Sequence, residues 1–238
     1  MGVDSAIVLF SGGQDSTTCL AWALSKFDHV ETIAFDYKQR HSIELECRIN
    51  VLNKIRSQFP NWASKLGEDH LLNIPVLSEI SDTSLTSISE IKYQESGLPS
   101  TFVPGRNLLF LVLTAALAYR RGISHIVTGV CETDFSGYPD CRDETIKAQE
   151  NALSLGLDSH IDIHTPLMWI NKAQTWKLSD ELGGNELLKI ICNDTHTCYI
   201  GDRSHKFEWG FGCSKCPACD IRKRGWEQFL KMDNNVLS

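Results

Sequence analysis

No stretch of this chain approaches the roughly 18 consecutive apolar residues that a membrane-spanning helix needs, so no membrane partner is expected. Positive charge is scarce too: 23 Lys and Arg stand against 30 Asp and Glu, a formal net charge of −7. A general nucleic-acid binder neutralises phosphates with a basic face, so this balance argues against direct nucleic-acid binding. It leaves room for a small nucleotide in a local pocket. The first residues carry no basic n-region, so no secretory signal is expected. Ala6 stands where an N-myristoylation signal places Ser or Thr. Internal repeats and low-complexity tracts are missing. What remains is one substantial core: 238 residues, 42% hydrophobic, suffice for a single α/β domain with a small appended module.

Cysteine is abundant by contrast. Five of the nine cysteines fall between Cys192 and Cys219. Without a secretion signal, clustered thiols favour a metal over disulfides, and the expected location is cytoplasmic.

Apolar strand-like runs at 6–10, 29–37, 70–76, 124–130 and 161–167 alternate with helical patterns at 16–26, 42–59, 108–119, 144–155 and 172–182. Such alternation predicts a parallel sheet with helices on both faces. Ligands of these sheets bind beyond the carboxyl ends of the strands. Segments 10–16, 36–40, 102–107 and 131–142 are expected on that edge. Segment 77–101 is Ser-, Thr- and Glu-rich and long for a plain connection, which suggests a mobile loop or lid. The division into residues 1–184 and 185–238 follows from the end of the alternation at Gly184 and the start of the cysteine region.

"FSGGQDSTT" follows the first strand. Gly12 and Gly13 let a ligand approach the backbone, and the next helix points its free N–H groups and positive dipole end at the same spot. Ser11, Ser16, Thr17 and Thr18 add hydroxyls. This is an anion site, most simply for phosphate. It is not the P-loop, which needs G-x-x-x-x-G-K-S/T, because no lysine follows these glycines. The alternative is a plain glycine turn with Asp15 or Ser16 as helix N-cap. The stretch resembles the SGGxDS signature of the PP-loop ATP pyrophosphatases. That resemblance implies a HUP-like sheet, ATP cleavage between the α and β phosphates, and transfer of AMP to a substrate oxygen.

"GCSKCPACD" supplies Cys213, Cys216 and Cys219, and "THTCY" supplies Cys198. Four thiolates at this spacing close a tetrahedral zinc site, one per chain, structural because no position is left open. An iron–sulfur cluster uses a similar run and is the alternative. Cys192 ends the apolar "LLKIIC" and is expected to be buried instead, as are Cys19, Cys47 and Cys131. Cys141, in a polar loop, is either buried or on a substrate wall.

"FVPGRN", "GVCETDFSGYPDCR", "TPLMWINKAQTW" and "TCYIG" join the loop and the cysteines in a pattern that resembles the 7-cyano-7-deazaguanine synthase family of queuosine-precursor biosynthesis, from residue 6 to about residue 230. Two features depart from it: Cys131, where the family commonly has Asn, and the "GDRSHKFEWGF" insert before Cys213. The resemblance implies that ATP adenylates 7-carboxy-7-deazaguanine, ammonia displaces AMP to give an amide, and a second ATP activates the amide on the way to the nitrile. It assigns ATP to Phe10, Ser11, Gly12, Gly13, Gln14, Asp15, Ser16, Thr17, Thr18, Cys19 and Leu20, with Mg2+ beside Asp15. Arg106 and Lys172 would neutralise phosphate or carboxylate charge. Lys172 has a solvated helix start as its alternative, and Asn107 a helix cap. Asp134, Ser136, Tyr138, Asp140 and Arg142 would bind the substrate: Asp134 and Asp140 its guanine-like edge, Phe135 or Tyr138 by stacking, and Arg142 its carboxylate or the α-phosphate, with an ordered polar turn as the alternative. The "RKR" run at 222–224 reads as a solvated helix face. A homodimer is implied by the resemblance alone. No glutaminase segment is evident, so free ammonium is the expected nitrogen source. Two competing readings are a PP-loop enzyme acting on a tRNA base and a non-catalytic zinc-knuckle module.

Overall fold

The computed structural model describes residues 4–37, 43–80, 83, 100, 102–132 and 138–234. The loop expected at 77–101 falls almost wholly outside these residues, as do the site candidates Asp134, Phe135 and Ser136. Strands β1 (Ser5–Leu9), β2 (His29–Asp36), β3 (Leu66–Asn73), β4 (His125–Val127) and β5 (Asp162–His164) form one sheet in the order β3-β2-β1-β4-β5. Every neighbouring pair is parallel. The order reverses between β1 and β4, so the loops leaving these two strands diverge and open a crevice at the carboxyl edge.

Both faces of the sheet are covered, which is why β2 is buried along nearly its whole length instead of alternating. Ala6 and Val8 of β1 point to one face, where they pack with Leu20 and Leu24 of α1 (Gln14–Lys26) and Ile55 of α2 (Ile43–Gln58). A short helix, α3 (Pro60–Ala63), joins α2 to β3, and α4 (Val76–Ile80) follows β3. Ile7 points to the other face. There it meets Leu111 and Ala115 of α5 (Arg106–Arg121) and Ile146 of α6 (Asp143–Leu157). Burial of each such Leu or Ile contributes about 1.5–3 kcal/mol relative to exposure.

The helix predicted at 172–182 continues as α7 (Lys172–Asp194). Gly184, at φ 58° and ψ −159°, is outside helical geometry and divides α7 into two helical stretches, the first ending where the sequence pattern ends. Its second half buries Leu187, Leu188, Ile190 and Ile191. Leu187, Leu188 and Ile191 pack with Ala21 of α1, Trp176, and Phe229 of α8 (Pro217–Asn234) in a third core, while Ile190 joins the first. The insert before Cys213 folds as a two-residue ribbon of β6 (Lys206–Phe207) and β7 (Gly210–Phe211). The cysteine region therefore lies against α1 and α7, beside the carboxyl edge of the sheet.

Candidate active site

The chain between β1 and α1 turns through Gly12 at φ +89°. A Cβ there would stand 2.6 Å from the Glu44 carbonyl oxygen and 2.7 Å from the Arg48 nitrogen, so only glycine fits. Gly13 is the N-cap of α1, in extended conformation and with no side-chain cap. Asp15 and Ser16 are therefore not caps, contrary to the simpler reading. Ser16 Oγ donates to the Gly13 carbonyl at 3.1 Å and accepts from the Gly12 N–H at 3.2 Å, bracing the turn from inside the helix. Asp15 carries its carboxylate out to Lys172, whose Nζ lies 2.8 Å from both carboxylate oxygens. Lys172 is only 12% exposed, so it is a docked cation and not a solvated helix start. Asn171 and Gln174 form a capping box that fixes the helix end carrying it.

Thr17, Thr18, Cys19 and Leu20 lie behind the loop, inside α1. All four are fully buried. Thr17 Oγ1 donates to the Gly13 carbonyl at 2.8 Å, and Thr18 Oγ1 to the Gln14 carbonyl at 3.0 Å. Burial, with the Asp15 charge adding to it, pushes the Cys19 thiol pKa well up.

Two adjoining cavities flank the loop, of about 360 Å³ and about 220 Å³. Ser11, Asp15, Ser16, Glu44 and Tyr199 belong to both walls. The smaller cavity adds Gln14, Lys172, His196, Thr197 and Arg222. Gln14 is 2% exposed, and neither amide atom has a hydrogen-bond partner among the described residues. A buried amide in that state points to a ligand. Arg222 corrects the solvated-face reading of "RKR": it is fully buried and donates to the Trp209 and Ile191 carbonyls and to Thr197 Oγ1 at 2.7–2.9 Å. Burial lowers its pKa to about 10. Lys223 and Arg224 keep to the surface, opposite Glu227 and Asp220.

The larger cavity is aromatic, with Phe35, Tyr37, Phe110, Tyr138 and Tyr199 on its wall, and Arg106 is its one cation among the described residues. Arg106 opens α5, and its Nε has no hydrogen-bond partner among the described residues. Burial opposes its charge, but Tyr37, Tyr138, Asp140 and Cys141 outweigh that and raise its pKa. Asn107 lines the same cavity from inside α5 and does not cap it. Its N–H donates to Asp140 Oδ2 at 3.1 Å, and its side-chain amide reaches Cys141 Sγ at 3.2 Å. Asp140 is thereby buried against the α5 N-terminus and lies on neither cavity wall. Arg142 is exposed at the N-cap of α6 and is likewise absent from both walls. Cys141 does line the larger cavity; burial, then the Asp140 charge, pushes its thiol up to about 12. Cys131 is half-buried on the same wall.

Beyond α7, Cys198, Cys213, Cys216 and Cys219 converge, their four sulfurs within 4.8 Å of one another. The Cys198–Cys216 and Cys213–Cys219 separations are 3.9 and 4.0 Å. An edge of a tetrahedral zinc–thiolate site is about 3.8 Å, given a metal–sulfur bond of about 2.3 Å. The donor set fits a metal. Hydrogen bonds from Cys216 and Cys219 hold Cys198 well below the usual thiol range, while its ionisation lifts Cys216 to about 11. Full ionisation of the cluster needs a cation. Gly212 is required beside it, since a Cβ would stand 2.5 Å from Cys219 Sγ. Cys192 is half-buried, not buried as expected, and lies outside the cluster.

The cluster is joined to the glycine loop through His196. Its N–H donates to the Gly12 carbonyl at 3.2 Å, and its Nε2 lies 3.0 Å from the Cys198 carbonyl. His196, Tyr199, Glu44 and Arg222 were not singled out from the sequence as site residues. Each sits far along the chain from the loop, and no spacing rule connects them to it.

The sequence profile of the family described as "Queuosine biosynthesis protein QueC" matches residues 5–230. The chain is 65% identical to a 7-cyano-7-deazaguanine synthase of Polaromonas sp. strain JS666, over 94% of this chain and 96% of that one. It is 60% identical to a 7-cyano-7-deazaguanine synthase of Bradyrhizobium sp. strain BTAi1, over 95% of each. In structure it is similar to a 4-thiouridine synthetase seen in complex with RNA and ATP, with a TM-score of 0.50 at 17% identity. That likeness covers 97% of this chain and 51% of the other and concerns the fold alone.

Proposed function

Since the chain belongs to the QueC family of queuosine biosynthesis proteins, we propose that it converts 7-carboxy-7-deazaguanine and ammonia to 7-cyano-7-deazaguanine, using ATP and releasing AMP and diphosphate. The observation that carries this reading is the shared wall of the two cavities. It sets a phosphate-type loop between a pocket of buried donors and an aromatic pocket that holds the half-buried Arg106. The phosphates follow the glycine loop toward Gln14, Lys172 and Arg222. Flat heterocycles fill the aromatic pocket, where Tyr138 and Tyr199 are available to stack. Arg106 meets the substrate carboxylate or the phosphate bound to it.

A carboxylate is a poor electrophile because its leaving group would be oxide; adenylation replaces that with AMP. The work left to the protein is positioning and charge neutralisation. Lys172, now paired with Asp15, turns to the incoming phosphates, and Asp15 is freed for Mg2+, a hard cation held by oxygen ligands. Cys198, Cys213, Cys216 and Cys219 hold a structural zinc, which supplies folding stability. The nitrogen comes as free ammonium. All nine thiols are without disulfides, in keeping with a reducing cytoplasm. We take Asp134 and Ser136 as further contacts to the base, and a homodimer as the assembly.

The test is incubation of the purified protein with ATP, Mg2+, ammonium and 7-carboxy-7-deazaguanine. Substrate-dependent AMP release and a nitrile product in the mass spectrum are expected. Their absence overturns the reading.

A further inference from the structure

We propose that the carboxylate of Glu44 is the docking point for ammonium and takes its proton as the nitrogen attacks the adenylated acid. This deepens the function proposed above and rests on it. The geometry starts from the shared wall. Among the described residues, three ionisable groups belong to both cavities: Asp15, Glu44 and Tyr199. Asp15 is engaged by Lys172 through both oxygens. Tyr199 is a phenol, which carries no charge near neutrality. Among the described residues Glu44 is thus the shared group left to attract a cation and accept a proton.

Its place is fixed by packing. Glu44 stands in the first turn of α2, and its carbonyl is pressed against Gly12 of the loop. The same packing that demands glycine at position 12 thus holds Glu44 between loop and arginine. Burial raises its pKa to about 7, with the Arg106 charge opposing. Among the described residues, the ionisable groups that share these walls with it are Asp15 from α1, Tyr37 after β2, Arg106 from α5, Cys131 after β4, Tyr138 and Cys141 before α6, Lys172 from α7, His196 and Tyr199 from the segment after α7, and Arg222 from α8. In the proposed complex the cations Arg106 and Lys172 turn to carboxylate and phosphate oxygens, and a carboxylate is left facing the reacting carbon.

The chemistry requires such a group. Ammonium has no lone pair to attack with. One of its protons passes to Glu44, and the electron pair released forms the C–N bond to the acyl carbon. The C–O bond to AMP then breaks, with its electron pair leaving on the AMP phosphate. The excess proton on nitrogen is lost to solvent, and the amide remains. General-base assistance of this kind contributes about 10²–10⁴-fold.

The experiment uses the full-length protein and three assays. The first is acid-dependent ATP–diphosphate exchange without ammonium. The second is amide formation against ammonium concentration. The third is conversion of the preformed amide to nitrile. Glu44→Gln should leave the first and third within about twofold and raise the KM for ammonium by about tenfold or more. Glu44→Asp should restore part of that KM. An ammonium KM for Glu44→Gln within about twofold of the parent overturns the proposal, as does equal loss of exchange and amination. If Glu44→Gln does not fold, Glu44→Asp decides: an ammonium KM unchanged by the shorter carboxylate overturns the proposal. If the parent protein itself shows no exchange and no nitrile, the fault lies with the proposed function.

Discussion

At the scale of single residues, Gly12 shows how backbone and chemistry are joined. Its positive φ and the 2.6 Å clearance to the Glu44 carbonyl leave no space for a methyl group. Gly12→Ala should cost about 1–3 kcal/mol in backbone strain, before any displacement of α2 is counted. The variant is expected to melt earlier and to lose AMP formation, because the loop and Glu44 move together; calorimetry and an AMP assay check both. Glu31 makes a different case. It is 2% exposed and is held by Arg121, His70 and His29 at 2.6–3.2 Å. Burial pushes its pKa up, but those partners outweigh burial and bring it below the ordinary 4.5. A depressed carboxylate stabilises the fold above its unfolded pKa and loses that contribution as pH falls through the folded value. Glu31→Gln should therefore lower the Tm near pH 7 and flatten its fall on acidification below about pH 4.5. Equal melting of the two proteins at neutral pH would show that the network contributes nothing.

At the scale of elements, what could be read from the chain depended on how local the cause was. The five strands and the glycine loop were legible because apolar runs and a strand–glycine–helix junction are signals within a few residues. The second half of α7 was not. Gly184 does break the helix where the sequence places its end, but no local signal announces the second helical stretch, whose Leu187, Leu188 and Ile191 enter the third core and whose Ile190 enters the first. β3 begins at Leu66, four residues before its apolar run, because Val30 N–H reaches the Lys65 carbonyl and the ladder starts there. The bond from the Asn107 N–H to Asp140 was not legible either, since a polar loop gives no sign that a helix N-terminus waits beside it. The cysteine cluster was legible from spacing alone, but its coupling to the loop through His196 was not. That coupling makes a prediction. Cys216→Ser should lose zinc by elemental analysis and lower stability, because structural zinc contributes directly to folding. It should also weaken ATP binding, since His196 and Tyr199 on the cavity walls follow Cys198. Lost zinc with unchanged nucleotide affinity would separate the two.

At the scale of the whole molecule, charge decides between two uses of one fold. The sequence pattern left open a PP-loop enzyme acting on a tRNA base, and charge bears on that reading. Association with a polyanion needs several phosphates neutralised at once, and every phosphate so neutralised makes binding more sensitive to salt. This chain has seven more acidic than basic side chains, and two of its arginines are engaged internally: Arg222 is fully buried and Arg48 nearly so. Arg48 binds Asp69 and the Phe10 and His70 carbonyls, tying α2 to the sheet. Lys172 is held by Asp15. These cations serve the fold or a small anion and are withdrawn from any extended surface. A mobility-shift titration with tRNA at low salt should show no tight complex, while AMP formation with 7-carboxy-7-deazaguanine proceeds without RNA. A salt-sensitive complex, or turnover that begins only when tRNA is added, would reassign the substrate from the free base to the nucleic acid.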